Sequence, residues 1–166
     1  MESVVTHQHL GVYLNDHLAG SSAALEILAH LRTLGGADGW IDTMRDDVAH
    51  DRRQLESLMA KAGVTASAAR QAAAWMAEKV AELKTRIDDR GQGALTRLEL
   101  LEALALGIDG KSALWIALRA AAPRLPALDG MDYGQLIRRA AEQRAAVEIH
   151  RLEAAVGAFS PLTTDA

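Results

Sequence analysis

Residues 40–62, WIDTMRDDVAHDRRQLESLMAKA, contain the pattern that decides the predicted fold. Apolar residues recur at spacings of three, four and seven, the period of an amphipathic α-helix with one buried face. These residues are Ile41, Met44, Val48, Leu55, Leu58 and Met59. The same stretch carries Asp47, His50 and Asp51, the densest group of potential metal ligands in the sequence. The segment therefore predicts a core helix and raises the question of a metal site.

The composition is that of a globular helical protein. Hydrophobic residues make up 49% of the 166 residues, and strong helix formers dominate while only three prolines are present. The length favours one domain over residues 1–166, with a flexible tail at about 160–166. We predict an all-α fold.

Charge and residue usage exclude several classes of function. The net charge is -4, and the 18 basic residues are scattered among 22 acidic ones, which argues against a nucleic-acid partner. Cysteine is absent, which excludes disulfides and thiolate chemistry and fits a cytoplasmic protein. No apolar run reaches the roughly 18–20 residues of a membrane span, so no membrane partner is expected. No signal peptide, phosphate-binding glycine loop or nucleophile elbow is found.

The apolar periodicities predict four long helices and one additional helix. The four long helices cover, approximately, residues 6–34, 38–62, 95–122 and 132–159. Gly35 ends the first helix, while Asp38 and Asp132 are the predicted N-caps of the second and the last. The additional helix, over residues 67–87, lies between the second and third bundle helices. A helix of about 20 residues spans roughly 30 Å, so it can carry the chain back along the whole bundle.

Four segments in helix order resemble the ferritin-like superfamily, in particular its uncharacterised bacterial members. They are YLNDHLAGSSAALEILAHL, DDVAHDRRQLESLM, LELLEALALGIDGKSALWIAL and AEQRAAVEIHRLEAA. The resemblance implies a ferritin-like four-helix bundle with a crossover helix. It also implies a di-metal site for iron or manganese, built from a Glu on each of two helices and Glu-x-x-His on each of the others. By position, the implied ligands are Glu26, Asp47 and His50, with either Glu99 or Glu102 as the Glu of the third bundle helix.

The last helix departs from this ligand pattern. Neither Glu142 nor Glu148 is followed by a histidine three residues on, so half of the ligand set is incomplete. On the second helix, His50 lies about 160° around the axis from Val48, which turns it away from the apolar face. These two departures favour a degenerate or absent metal site.

Asp51 lies only about 60° from Val48, on the apolar face of the second helix. A carboxylate taken from water costs several kcal/mol unless it is paired or hydrogen-bonded. Basic residues on apolar faces of later helices are candidate partners. We therefore predict an ion-pair network in the core, with the candidate members Asp51, Lys111, Arg144 and Arg151.

Three functions remain open from the sequence. The first is a cofactor-free bundle with an ion-pair core that acts as an interaction or stress-related protein rather than an enzyme. The second is an iron- or manganese-binding protein with weak oxidoreductase activity. The third is a small-molecule-binding bundle with its pocket among the helices. An apolar face around Trp75 and Met76 on the additional helix predicts a homodimer.

Overall fold

The computed structural model describes residues 2–35, 38–66 and 93–160, and all regular secondary structure in these ranges is helical. The long helices are α1 (Glu2–Thr33), α2 (Asp38–Lys61), α3 (Ala94–Ala121) and α4 (Tyr133–Phe159). Two short 3-10 helices join α3 to α4, Ala122–Arg124 and Pro126–Leu128. The predicted all-α fold is thus confirmed for the described residues. None of their helices combines the length and apolar character needed to cross a membrane.

The helix ends lie close to their predicted positions. Gly35, with a φ of 76°, follows α1 in the left-handed conformation that glycine adopts without strain. Asp132 caps α4, because its carboxylate accepts a hydrogen bond from the backbone N–H of Gln135 at 2.8 Å. Two bounds differ from prediction: α1 already begins at Glu2, and Asp38 is the first helical residue of α2 rather than its N-cap.

Contacts between the helices give their directions. Arg32, near the end of α1, bonds Asp42, near the start of α2, so these two helices are antiparallel. Arg97, near the start of α3, donates to the carbonyl oxygen of Gly35, which makes α3 antiparallel to α1. The contacts that join α3 to α4, Arg144 to Asp109 and Arg151 to Glu102, make these helices antiparallel as well.

It follows that α2 and α3 run in the same direction. The last described residue after α2 and the first before α3 therefore lie at opposite ends of the bundle. The predicted helix over residues 67–87, with its Trp75 and Met76, lies outside the described residues. So does the predicted flexible tail, apart from Ser160, whose backbone N–H donates to Val156 O beyond the end of α4.

The buried apolar side chains form two clusters, one towards each end of the bundle. One lies towards the α1–α2 connection and includes Leu31, Ile41, Leu101 and Ile108. The other lies towards the α3–α4 connection and includes Leu14, Leu58, Leu114 and Leu128. Asp51 of α2 and Lys111 of α3 lie between the two clusters. This interruption of the core is where the site described next is built.

Candidate functional site

Asp51 is the centre of a buried polar cluster in the middle of the bundle. Its side chain lies on α2 between Val48 and Leu55, at the phase that the helical period predicts, and the residue is 3% exposed. Oδ2 accepts hydrogen bonds from Lys111 Nζ at 2.7 Å and from Gln143 Nε2 at 3.0 Å. Both partners come from other helices, so Asp51 ties α2 to α3 and α4.

Arg139 of α4 completes the cluster. Its Nε donates to Asp51 Oδ1 at 3.1 Å, and its Nη2 donates to Asp47 Oδ1 at 3.0 Å. Lys111 also donates to the side-chain oxygen of Gln143. Two carboxylates thus face one ammonium and one guanidinium group, and the formal charges cancel. We call these five residues, Asp47, Asp51, Lys111, Arg139 and Gln143, the Asp51 cluster.

The electrostatics of Lys111 follow from its burial. Removal from water lowers the pKa of the Lys111 ammonium, and attraction to Asp51 offsets part of this effect. Its side chain is only 16% exposed. Buried ion pairs gain little net stability over apolar residues of the same shape, but one partner left alone is strongly destabilising. The cluster therefore depends most on Asp51 and Lys111, the charged members whose side chains are least exposed.

The residues implied as metal ligands by the ferritin-like pattern are dispersed. Glu26 and His50 are exposed, and Glu99 is half-buried on α3. Asp47 is paired with Arg139, and Glu102 with Arg151. Among the residues that the structure describes, no three His, Asp or Glu side chains come together in a geometry that would hold a metal ion. The five residues that the resemblance implies are thus not brought together as a di-metal centre in the part of the chain that the structure describes.

Arg144 and Arg151, predicted as core ion-pair partners, lie elsewhere. Both donate to Glu148 on their own helix, Arg144 from i−4 at 2.8 Å and Arg151 from i+3 at 2.6 Å. Hydrogen bonds from Arg151 and then Arg144 lower the pKa of the Glu148 carboxyl group to about 2. Neither arginine contacts Asp51. They form a surface triad of α4 that also reaches Asp109 and Glu102 of α3.

A cavity of about 60 Å³ adjoins the Asp51 cluster between α1, α2 and α3. Helix-interior glycines line it on two sides, Gly20 of α1 and Gly107 of α3. A methyl group at either position would meet no atom of another described element within 4 Å. Glycine inside a helix costs roughly 0.5–1 kcal/mol relative to alanine. The glycines thus leave open space next to the cluster at a cost in helix stability.

The residues that line the cavity differ in the hydrogen bonding of their polar groups. Arg52 donates to the hydroxyl groups of Ser21 and Ser22, which binds α2 to α1. Burial lowers the pKa of His17, an effect that nearby Asp16 opposes, so the neutral imidazole is favoured. Trp115 is 1% exposed, and its Nε1–H has no hydrogen-bond partner among the described residues. A buried donor left unpaired costs free energy.

Sequence reasoning missed Arg139 and Gln143. A signal for Gln143 exists: it lies three residues after buried Ala140 and four before buried Val147, on the apolar face of α4. Arg139 directly precedes Ala140 and is only partly buried, so periodicity alone does not single it out.

Comparison of the chain with protein-family models, with curated proteins and with solved structures finds no match in any of the three.

Proposed function

We propose that this chain is a helical bundle of ferritin-like connectivity in which an ion-pair network stands where a di-metal site would lie. On this proposal it acts by binding another protein and not by metal chemistry. The directions of the four described helices support the connectivity. An antiparallel pair, α1 with α2, is followed by a second pair whose first helix runs parallel to α2, the arrangement that one long crossover connection requires.

The observation that carries the proposal is that both carboxylate oxygens of Asp51 already accept hydrogen bonds from other side chains. Its two oxygens accept from Lys111, Gln143 and Arg139, and two of these three donors are cations. A divalent ion entering the cluster would be repelled by both cations and would have to displace their hydrogen bonds. Lysine and arginine in their charged forms are not metal ligands.

Metal analysis of the purified protein tests this proposal against the metal-binding alternative. The protein is produced in cells supplemented with iron and manganese, and its metal content is measured by mass spectrometry. We expect less than stoichiometric metal in the wild-type protein and no change in Glu99→Ala. Stoichiometric iron or manganese that is lost in Glu99→Ala would instead support the metal-binding function, with Glu99 as a ligand.

An exposed apolar stripe on α4 supports binding to a protein. It consists of Ile149, Leu152, Val156 and Phe159, which are 60%, 52%, 68% and 73% exposed. Their spacing of three, four and three places them along one face of the helix, as in the seam of a coiled coil. We propose a second copy of this chain as the partner. A two-fold axis near residue 154 would set Ile149 opposite Phe159 and Leu152 opposite Val156, which makes the stripe complementary to itself.

A further inference from the structure

A groove of about 320 Å³ lies between α2 and α4 and is open to solvent. Its volume is at the lower end of the roughly 300–1,000 Å³ typical of small-molecule sites. Towards the start of α2 the lining is apolar and consists of Trp40, Met44 and Ala146. The rest of the lining is polar and consists of Thr43, Asp47, Arg139, Glu142 and Gln143. The groove is therefore amphipathic along its length.

The apolar end of the groove is held in place by packing. The Trp40 ring stacks on His150 of α4, with ring centroids 4.1 Å apart and planes 14° from parallel. His150 Nδ1 in turn lies 3.1 Å from Glu153 Oε2 on the same helix. Met44 is 4% exposed and packs in the core. This end is thus a preformed apolar surface on which part of a ligand can rest.

The polar end of the groove carries two carboxylates that are accessible and have unused acceptor capacity. The Asp47 side chain is 39% exposed, and its ion pair with Arg139 uses Oδ1. Glu142 is exposed and forms no hydrogen bond or ion pair with any residue that the structure describes. A carboxylate can accept about four hydrogen bonds, so both groups can accept donors from a ligand.

The charges of the lining favour a cationic ligand. Two acids, Asp47 and Glu142, face one base, Arg139, which leaves the lining with one net negative charge. Arg139 is also shared with Asp51, to which its Nε donates at 3.1 Å. An anion would be repelled by both acids and would compete with Asp47 and Asp51 for this guanidinium. A primary ammonium, with three donors and no acceptor, matches the two accessible carboxylates.

We propose that the groove between α2 and α4 binds a small organic cation, a primary ammonium ion with a short apolar body. The ammonium binds the carboxylates of Asp47 and Glu142, and the apolar body packs on Trp40 and Met44. This inference is independent of the proposed function, because it uses neither the absence of metal nor the stripe on α4.

Probes of similar length and different charge test the inference: n-butylammonium, n-butanol and butyrate. The readout is the indole N–H signal of Trp40 in ¹H–¹⁵N NMR spectra, assigned by its loss in Trp40→Phe. This signal reports on the surroundings of the ring and does not require contact between the nitrogen and the ligand. We expect a saturable shift with butylammonium, with an affinity at least about fivefold above that of butanol, and no saturable shift with butyrate. Trp115 does not line the groove, so its signal should not move.

Methylammonium tests the apolar end, because it has the same charge and lacks the apolar body. We expect its affinity to be at least about fivefold below that of butylammonium. Equal affinities of the two amines would overturn the role of the apolar end. Equal affinities of butylammonium, butanol and butyrate would overturn the cationic class, and absence of a saturable shift with butylammonium would overturn the inference as a whole.

A pair of charge variants locates the ammonium. Glu142→Gln should weaken butylammonium binding at least about threefold and leave the affinity for butanol unchanged. Asp46→Asn is the matched control, since Asp46 is an exposed acid next to Asp47 that does not line the groove. Equal losses in the two variants would show attraction by the net charge of the protein alone and overturn the site.

A pair of size variants locates the apolar body. Ala146→Leu fills the groove and should abolish the butylammonium shift, whereas Ala145→Leu, at an exposed position outside the groove, should leave it unchanged. Circular dichroism shows whether both variants fold, and Thr43→Leu replaces Ala146→Leu if the latter does not. A shift that survives in the folded groove-filling variant would overturn the location.

Discussion

Lys111 Nζ lies 2.7 Å from Asp51 Oδ2, between the two apolar clusters of the core. The two residues come from α2 and α3, 60 positions apart in the chain. Asp51 is the main counter-charge of the Lys111 ammonium, whereas Asp51 itself also bonds Arg139 at 3.1 Å. Loss of Asp51 therefore leaves the buried ammonium of Lys111 without that counter-charge, which costs more than the pair contributes.

Removal of the Asp51 carboxylate is therefore expected to destabilise the fold strongly. We predict that Asp51→Ala lowers the free energy of unfolding by more than about 2 kcal/mol, because it strands the ammonium of Lys111 and leaves Gln143 Nε2 without its acceptor. Urea denaturation followed by circular dichroism measures the change. Asp46→Ala is the matched control, since Asp46 is an exposed acid on the same helix. It should change stability by less than about 0.5 kcal/mol. Equal effects of the two substitutions would contradict the role of the cluster.

Replacement of both Asp51 and Lys111 is expected to destabilise the fold less than replacement of Asp51 alone. In Asp51→Leu with Lys111→Met, apolar side chains of similar length fill the same space and no charge is stranded between them. We predict that the double variant recovers more than half of the stability lost in Asp51→Leu alone. The recovery stays incomplete, because Gln143 loses both of its partners. A double-mutant cycle in urea gives the coupling energy, and additive losses would show that the pair is not coupled.

The sequence predicts the helices of this fold, and the buried side of each helix, better than it predicts the contacts between helices. The apolar period of α2 places Asp51 inside, and the same argument places Lys111 on a face shared with Ile108 and Trp115 of α3. Periodicity gives the direction of a side chain around its own helix. It does not give the rotation or axial stagger of one helix against another, which decide that Gln143 and Arg139 stand opposite Asp51.

Arg144 and Arg151 show a second limit of prediction from helical periodicity. By helical periodicity both share a face of α4 with Ala140, Val147 and Ala154, which led to their prediction as core partners of Asp51. A carboxylate on their own helix, Glu148, lies within one turn of each, and contact with it requires no match between helices. Their long side chains reach this local partner near the surface, where the charged ends stay in contact with water.

The Glu148 triad leads to a prediction about acid titration. Hydrogen bonds from Arg151 and Arg144 lower the pKa of Glu148 from 4.5 to about 2 in the folded protein. The unfolded chain therefore takes up this proton first as the pH falls. The contribution of Glu148 to stability is present above about pH 4.5 and is lost progressively as the pH falls towards 2.

NMR titration of the Glu148 side-chain carboxyl carbon measures this pKa directly. In Arg151→Gln we expect the pKa to rise towards 4.5, because the largest cause of its lowering is removed. Arg138→Gln is the control, since Arg138 is an exposed arginine of the same helix that forms no bond to Glu148 among the described contacts. A Glu148 pKa near 4.5 in the wild-type protein would show that the triad does not form in solution.

The apolar stripe on α4 predicts a symmetric dimer that a single substitution can separate. Leu152 lies near the proposed two-fold axis and faces Val156 of the second copy, so a carboxylate there is buried against apolar side chains without a counter-charge. We expect sedimentation velocity to show a dimer for the wild-type protein and a monomer for Leu152→Glu.

Leu106→Glu is the matched control, because Leu106 is a leucine of α3 that is 72% exposed and lies outside the stripe. It should remain dimeric, since a carboxylate at an exposed site away from the seam stays in contact with water. A wild-type monomer at high concentration would show that this stripe does not join two copies, and loss of the dimer in both variants would place the interface elsewhere.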